Sequence, residues 1–276
     1  WFGRLPEVLR NIYQVRYVPG YWFWRLHPEG LRHAENVLRP LHQKYQGCRC
    51  VVIGNGPSLQ KMDLSKLEDE FTFGLNRIYL LFEEMGFETT ILVSINKLIL
   101  RQFSEEISQN HSLKIFNWQC REYFETGDRL IFQAVRPWKQ VNGRALEGFS
   151  VFVGSVTNKA IELAHYLGFE EVILIRVDHT YQEKGPPGES VVSEGPDQDH
   201  FDEEYFGKGV VWQLLDYRLF ERGYQQNEKL FQQNDRRIVD ATLNGKLRVF
   251  PKVNLEEHLS QTPFSNRKEY LRRKQF

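Results

Sequence analysis

The chain has 276 residues, with 41% hydrophobic and 26% charged side chains, which suits a globular protein of one large domain with an appendage. Thirty-six basic residues balance thirty-six acidic ones, so the basic excess of a dedicated nucleic-acid binder is missing. Three cysteines, Cys48, Cys50 and Cys120, make neither a disulfide scaffold nor a zinc site and suit a reducing compartment; no apolar run reaches the roughly 18–20 residues of a membrane span.

Residues 1–46 read as a helical, aromatic-rich appendage. Arg4, Arg10, Arg16, Arg25 and Arg32 alternate with Trp1, Phe2, Tyr13, Tyr17, Tyr21, Trp22, Phe23 and Trp24. Packing of these aromatics on the main domain or a partner subunit is the favoured expectation, because the apolar positions do not form one helical stripe. Peripheral contact with a membrane surface is the alternative. The N-terminus has no signal-peptide pattern and no initiator Met, so its start has been processed or lies upstream. A cytoplasmic place, with the inner membrane face as an option, is expected. His33–Gln46 reads as a helix with a bend near Pro40.

Residues 47–255 alternate strands and helices, and 256–276 form a charged tail. Strands are expected at Cys50–Ile53, Phe71–Leu75, Thr90–Ser94, Leu113–Phe116, Leu130–Gln133, Val172–Val177 and Arg237–Asp240. Helices are expected over Lys97–Gln109, Thr157–Leu167 with Gly168 as C-cap, and Gln213–Asn234. Pro137–Gly148 reads as loop, as does the polar stretch from Gly185 to about Asp199. This order predicts an α/β fold: a Rossmann-like open, mostly parallel sheet with helices on both faces.

The first strand runs into Gly54-Asn55-Gly56-Pro57-Ser58. Two glycines permit positive φ and close approach, and Pro57 suits a helix start. This is a phosphate or nucleotide cradle, although it is neither the three-glycine dinucleotide fingerprint nor a Walker loop. Asn55, Asn76 and Asn96 follow three successive strands, and Asp178, His179 and Tyr181 follow a later one. In an open α/β sheet these ends face one crevice. The loop 195–207 adds Asp197, Asp199, His200, Asp202, Glu203, Glu204 and Tyr205. There His200 is the natural general base, with carboxylates beside it to orient the ring and Glu204 and His179 as fallbacks. Tyr205 could hydrogen-bond a phosphate.

Several strings resemble a known family. Ile53-Gly54-Asn55-Gly56-Pro57-Ser58-Leu59, then Asp63, Asn76-Arg77-Ile78-Tyr79, Leu167–Leu174 and Val177–Tyr181 are similar to the MptE-like pterin pyrophosphokinases and the flagellin-modifying Maf proteins. The same order resembles the CMP-sialic acid-dependent sialyltransferases of the Campylobacter type. The resemblance covers about residues 50–250. It implies an inverting glycosyltransferase with a CMP-linked, sialic-acid-like sugar donor and a glycan or protein acceptor. Asn55, Asn76, Asn96 and Ser155 or Thr157 would then bind the donor, Tyr181 would hold the leaving phosphate, and a histidine would act as base. This sequence departs from the sialyltransferases in the spacing after His200-Phe201, and it has Arg176 where relatives carry Gly. No cofactor is required in this version. The alternatives are a pterin pyrophosphokinase using ATP, with Mg²⁺ on Asp178, Asp197 or Asp199, and a binding module without catalysis on the same fold. An oligomer stays open.

Overall fold

Short strands that are apolar on both faces need cover on both faces, and the chain supplies it by crossing back after almost every strand. In the computed structural model, the described residues are 15, 18–58, 62–136, 149–151, 154–179 and 185–261. Helices α1 (Val18–Arg25) and α2 (Pro28–Leu38) come first. They are followed by β1 (Arg49–Ile53), β2 (Thr72–Leu75), α3 (Phe82–Met85), β3 (Ile91–Ser94), α4 (Lys97–Gln102) and α5 (Ser104–Ser108). Next come β4 (Leu113–Asn117), β5 (Leu130–Arg136), β6 (Phe149–Val151), α6 (Val156–Leu167) and β7 (Glu171–Ile175). A hairpin of β8 (Ser190–Val192) and β9 (Val211–Gln213), then α7 (Tyr217–Gln232), β10 (Arg237–Asp240) and α8 (Leu255–Gln261), complete the described chain.

The main sheet has eight strands in the order β10-β7-β1-β2-β3-β4-β5-β6, and every neighbouring pair is parallel. The chain steps outward from β1 to β6, then returns through α6 to lay β7 on the other side of β1. That reversal is the topological switch point of a doubly wound, Rossmann-like sheet.

Alternate strand residues feed two separate cores. Cys50, Val52, Phe73, Val93, Ile115 and Leu174 face α2, α6 and α7. Val51, Ile53, Leu92, Phe116, Ile173 and Val239 face α4, α5 and α8, together with Phe201, Tyr205 and Phe206 of the 195–207 loop. Helices therefore cover both faces, as predicted.

The N-terminal boundary differs from the expectation. Ala34, Leu38, Leu41 and Tyr45 belong to the same core as β1 and α6, and Tyr45 stacks on Phe169 at 4.9 Å. Residues 28–46 therefore share the core of the sheet domain and do not form a separate unit. The helix here ends at Leu38 and Pro40 sits in a 3₁₀ turn, where a missing N–H is harmless. On α1, Trp24 is buried against Trp118 at 4.6 Å, whereas Trp22 and Phe23, and Leu26 just past the helix, are exposed. Residues 1–14, 16, 17 and 262–276 lie outside the described residues, with many of the aromatics and arginines noted above. Among the described residues no helix is long and apolar enough to cross a membrane.

Other boundaries moved for local reasons. The expected helix over 97–109 breaks at Phe103 into α4 and α5. The helix expected from Gln213 begins at Tyr217, because Val211–Gln213 pairs with Ser190–Val192 and Asp216 caps the helix through Leu219 N at 3.0 Å. The stretch expected to be an unbroken polar loop from Gly185 thus contains a strand. The charged tail begins inside α8, which His258 joins to Glu171 at 2.9 Å. The loop expected over Pro137–Gly148 lies wholly outside the described residues.

Candidate functional site

At the switch point, β1 runs out into Gly54-Asn55-Gly56 and β7 into Arg176-Val177-Asp178. The two exits touch. Gly54 N donates to Ile175 O at 2.9 Å and Gly56 N to Arg176 O at 3.1 Å. A Cβ on Gly54 would stand 2.3 Å from Arg176 O, and one on Gly56 would stand 1.6 Å from Asp178 Oδ2. Neither glycine lies in the left-handed region, which corrects the expected reason for them: they supply space, not positive φ. Left-handed backbone falls instead on Asn76 (φ 49), Arg176 (φ 60) and His179 (φ 53), just beyond β2 and β7. Each such residue costs on the order of 1–3 kcal/mol, and strain of this kind gathers at functional sites.

The strand-end polar residues do come to one edge. Asn55 donates from Nδ2 to Leu75 O at 2.9 Å, and its buried Oδ1 has no partner among the described residues. Asn76 accepts from Ser94 Oγ at 3.1 Å. Asn96 caps α4, its Oδ1 accepting from Leu98 N at 2.9 Å. Pro57 and Ser58 open a short 3₁₀ turn beside Asp178; Leu59 lies outside the described residues. Burial raises the Asp178 carboxyl above the usual range, and the pulls of Ser58 and Arg176 oppose it. Burial also brings the Arg176 guanidinium down to about 10, against the attraction of Asp178.

On the α7 side, Ser155 caps α6 through Asn158 N at 3.1 Å. Thr157 follows in the first turn, and both hydroxyls engage the buried Tyr224 phenol, whose pKa burial raises. His179 faces Glu221 at 3.4 Å and meets the edge of Tyr217 at 5.3 Å. Tyr181 lies outside the described residues.

The 195–207 loop, held between β8 and β9, closes over the other face. His200 Nδ1 meets Asp197 Oδ2 at 2.8 Å. A carboxylate only accepts, so Nδ1 carries the hydrogen and Nε2 of the neutral ring is the basic nitrogen. Asp197 is itself fixed by Asp199 N at 2.8 Å and Phe206 N at 3.0 Å. Burial works to raise the Asp197 carboxyl, but the hydrogen bonds from His200, Asp199 and Phe206 bring it below the usual range. Tyr205 is 0% exposed and lies flat under His200, with centroids 4.0 Å apart and planes at 4°. Its phenol lies by Asn76 and Arg77, and burial raises its pKa. The Tyr205 ring thus forms a platform under the histidine. Glu204 is exposed.

Two contacts pin this loop to the crevice. Phe201 N donates to Asn55 O at 3.0 Å, setting His200 beside the β1 exit. The buried Arg77 donates from Nη1 to Glu204 O at 2.8 Å and Tyr205 O at 2.5 Å, and from Nη2 to Glu106 at 3.1 Å. Its guanidinium also lies 3.6 Å over the Phe103 ring. In the sequence Arg77 stands out only as part of a motif; nothing there marks an arginine after a strand as a buried anchor. Among the described residues no three His, Cys, Asp or Glu side chains gather as a metal-binding group.

An open parallel sheet with polar side chains converging where its strand order reverses defines a doubly wound α/β protein, and in such sheets that point is where ligands bind. The chain belongs to the family described as 6-hydroxymethylpterin diphosphokinase MptE-like, whose model matches residues 29–184, more than half its length. This agrees with the motif resemblance. Among solved structures it is similar to the Maf glycosyltransferase from Magnetospirillum magneticum AMB-1, at 14% identity and a TM-score of 0.53, covering 84% of this chain. The chain spans only 38% of that protein's length. The sialyltransferase CstII from Campylobacter jejuni, in complex with cytidine-5'-monophosphate, matches at 12% identity and a TM-score of 0.34, over 75% of this chain and 85% of that one. At 14% identity the likeness to the Maf glycosyltransferase is one of fold. No curated protein matches this chain.

Proposed function

We propose that this chain is an inverting glycosyltransferase using a nucleotide-activated sugar, with a CMP-linked, sialic-acid-like donor as the specific form. The observation that carries the reading is the Asp197–His200 pair, fastened by Phe201 N to Asn55 O at the nucleotide side of the crevice. The Maf glycosyltransferase fold and the sequence resemblance support it.

In this reading Gly54, Asn55, Gly56, Pro57, Ser58, Asn76, Asn96, Ser155, Thr157, Asp178 and His179 form the donor side. The unpartnered Asn55 Oδ1 accepts from the nucleotide. His200 Nε2 takes the proton of an acceptor hydroxyl while Asp197 stabilises the imidazolium. The acceptor oxygen bonds to the anomeric carbon, and the bond from that carbon to the phosphate oxygen breaks with its electron pair. The Tyr181 hydroxyl meets the charge on the departing nucleotide. No metal is required by these steps. Tyr205 supports the His200 ring from below. General-base assistance of this kind contributes typically about 10²–10⁴ in rate.

The family description supports a second reading, transfer of diphosphate from ATP to a hydroxymethyl pterin, with Mg²⁺ held by Asp178. One thermal-shift experiment with CMP, CDP, UDP and ATP, with and without Mg²⁺, separates the two. A ligand at about 100 times its Kd adds roughly 2.7 kcal/mol to stability. Metal-free CMP stabilisation is expected; a shift with ATP that requires Mg²⁺ would favour the diphosphokinase, and no shift with any nucleotide would leave only a binding module. His200→Ala should lower turnover by about 10²–10⁴ with the nucleotide shift retained. Normal turnover in that variant would remove His200 from the mechanism.

A further inference from the structure

The segment between β10 and α8 is clasped at one buried carboxylate. Asp240 Oδ1 accepts from Thr242 N at 2.8 Å and Oδ2 from Lys252 Nζ at 2.6 Å, so the two ends of the loop meet on the same side chain. The main chain repeats the clasp: Asp240 N donates to Pro251 O at 2.8 Å, and Val253 N donates to Asp240 O at 3.1 Å. Leu247 and Phe250 are buried and root the loop, with Phe250 set edge-on against Tyr224 at 5.7 Å.

This loop borders an open recess of about 520 Å³ lined by Gly245, Lys246, Leu247, Arg248, Phe250 and Lys252. No acidic side chain lines it. Asp240 answers the charge of Lys252. Lys246 and Arg248 have no ion pair among the described residues. The chain has no net charge, so this is a local concentration and not part of a basic surface. Cations gathered with no acidic side chain lining the recess attract an anion.

Its position is as informative as its charge. Lys246 N donates to Asp178 O at 2.8 Å, and Val177 N donates to Thr242 Oγ1 at 3.1 Å. The loop is therefore hung directly on the β7 exit, beside the crevice and on the side away from the His200 loop.

We propose that this recess is an anion subsite that takes the carboxylate or phosphate group of a charged sugar. That the ligand is a sugar rests on the glycosyltransferase reading; the anion site itself does not. Lys246 and Arg248 supply the two uncommitted charges, and Lys252, oriented by Asp240, supplies a third donor.

The test is titration calorimetry of the full chain with three probes: methyl glucuronide, glucose 1-phosphate and the neutral methyl glucoside. Wild type should bind at least one charged probe in preference to the neutral one, and the preferred probe tells carboxylate from phosphate. Combining Lys246→Met with Arg248→Met should weaken that probe at least tenfold while leaving the melting temperature and the nucleotide shift unchanged. The backbone contact from Lys246 N to Asp178 survives both substitutions. Lys229→Met, on the exposed face of α7, is the charge control and should leave affinity as it was. Equal binding of charged and neutral probes, or an equal loss in Lys229→Met, would overturn the proposal. Loss of the nucleotide shift in wild type with anion binding intact would overturn the transferase reading and leave the anion site standing.

Discussion

Substituting the two glycines of the β1 exit should have opposite consequences. In Gly54→Ala the new methyl would stand 2.3 Å from the Arg176 carbonyl, about 0.7 Å inside the closest approach that real Cβ atoms make. That obstacle is backbone, held by the β1–β7 ladder, so the strand ends must separate. Overpacking of this kind costs typically about 1–3 kcal/mol, and the rigidity of the obstacle puts Gly54→Ala near the top of that range. For a chain of this size each kcal/mol is about 2–4 °C in melting temperature, so a drop of roughly 5–10 °C is expected. In Gly56→Ala the nearest atom, 1.6 Å away, is Asp178 Oδ2, the end of a side chain that can turn aside. Its stability loss should be smaller, about 1 kcal/mol, as for a volume change that a rotamer can absorb. Its loss of nucleotide affinity should be at least tenfold, because Asp178 and the turn amides leave their places. Differential scanning fluorimetry with and without CMP reads both numbers. An unchanged melting temperature in Gly54→Ala, or a larger drop in Gly56→Ala, would refute the account of why this turn needs glycine.

The remaining predictions concern anchors and pH. Arg77→Lys keeps the charge but not the fork that reaches Glu204 O, Tyr205 O and Glu106; it should lower kcat with little change in nucleotide Kd, and parallel losses in both would contradict its role as anchor of the His200 loop. Arg49→Ala leaves Glu70 as an unpaired buried carboxylate and releases α8 from its bond to Leu259 O, so urea melts should show a loss of about 3–5 kcal/mol. Burial and nearby Arg236 and His42 push His165 down to about 4. The unfolded state therefore binds the extra proton between about pH 6.5 and 4, and stability falls as pH drops through that window, by at most ~3 kcal/mol in full. Urea melts at pH 7 and pH 5 should show a smaller acid loss in His165→Phe than in wild type; equal losses would place the sensitivity elsewhere.

The sheet was largely legible because its central strands are unbroken apolar runs. Val51–Ile53, Ile91–Val93 and Val172–Ile175 are covered on both faces, and no helix fits into four or five residues between turn signals. What escaped notice is short or only partly covered. β6 has three residues beside a stretch with no clear period, and β8 and β9 carry side chains that stay half-buried or exposed, so no alternation marks them. Asn55, Asn76 and Asn96 were legible as strand-end residues, but not that Asn96 spends its oxygen on a cap. The acidic loop was legible as a group around His200; which carboxylate holds the ring depends on Phe206 N and Asp199 N folding around Asp197, and no spacing shows that. Arg77 depends on contacts to Glu204 and Tyr205, far away in the sequence, where a single arginine reads as surface.

The reversal at β1 also has a temporal side. The strand that β1 needs on its second edge is β7, and Arg49 pairs with Glu171, about 120 residues further along the chain. At typical synthesis rates of about 5–20 residues per second, that partner emerges some 6–25 s after β1. Throughout that interval Cys50-Val51-Val52-Ile53 presents an uncharged open edge, the kind that pairs readily with a foreign strand. The crevice does not exist until the interval ends, since one wall leaves β1 and the other leaves β7. Building the site and closing the most exposed edge of the nascent sheet are therefore a single event.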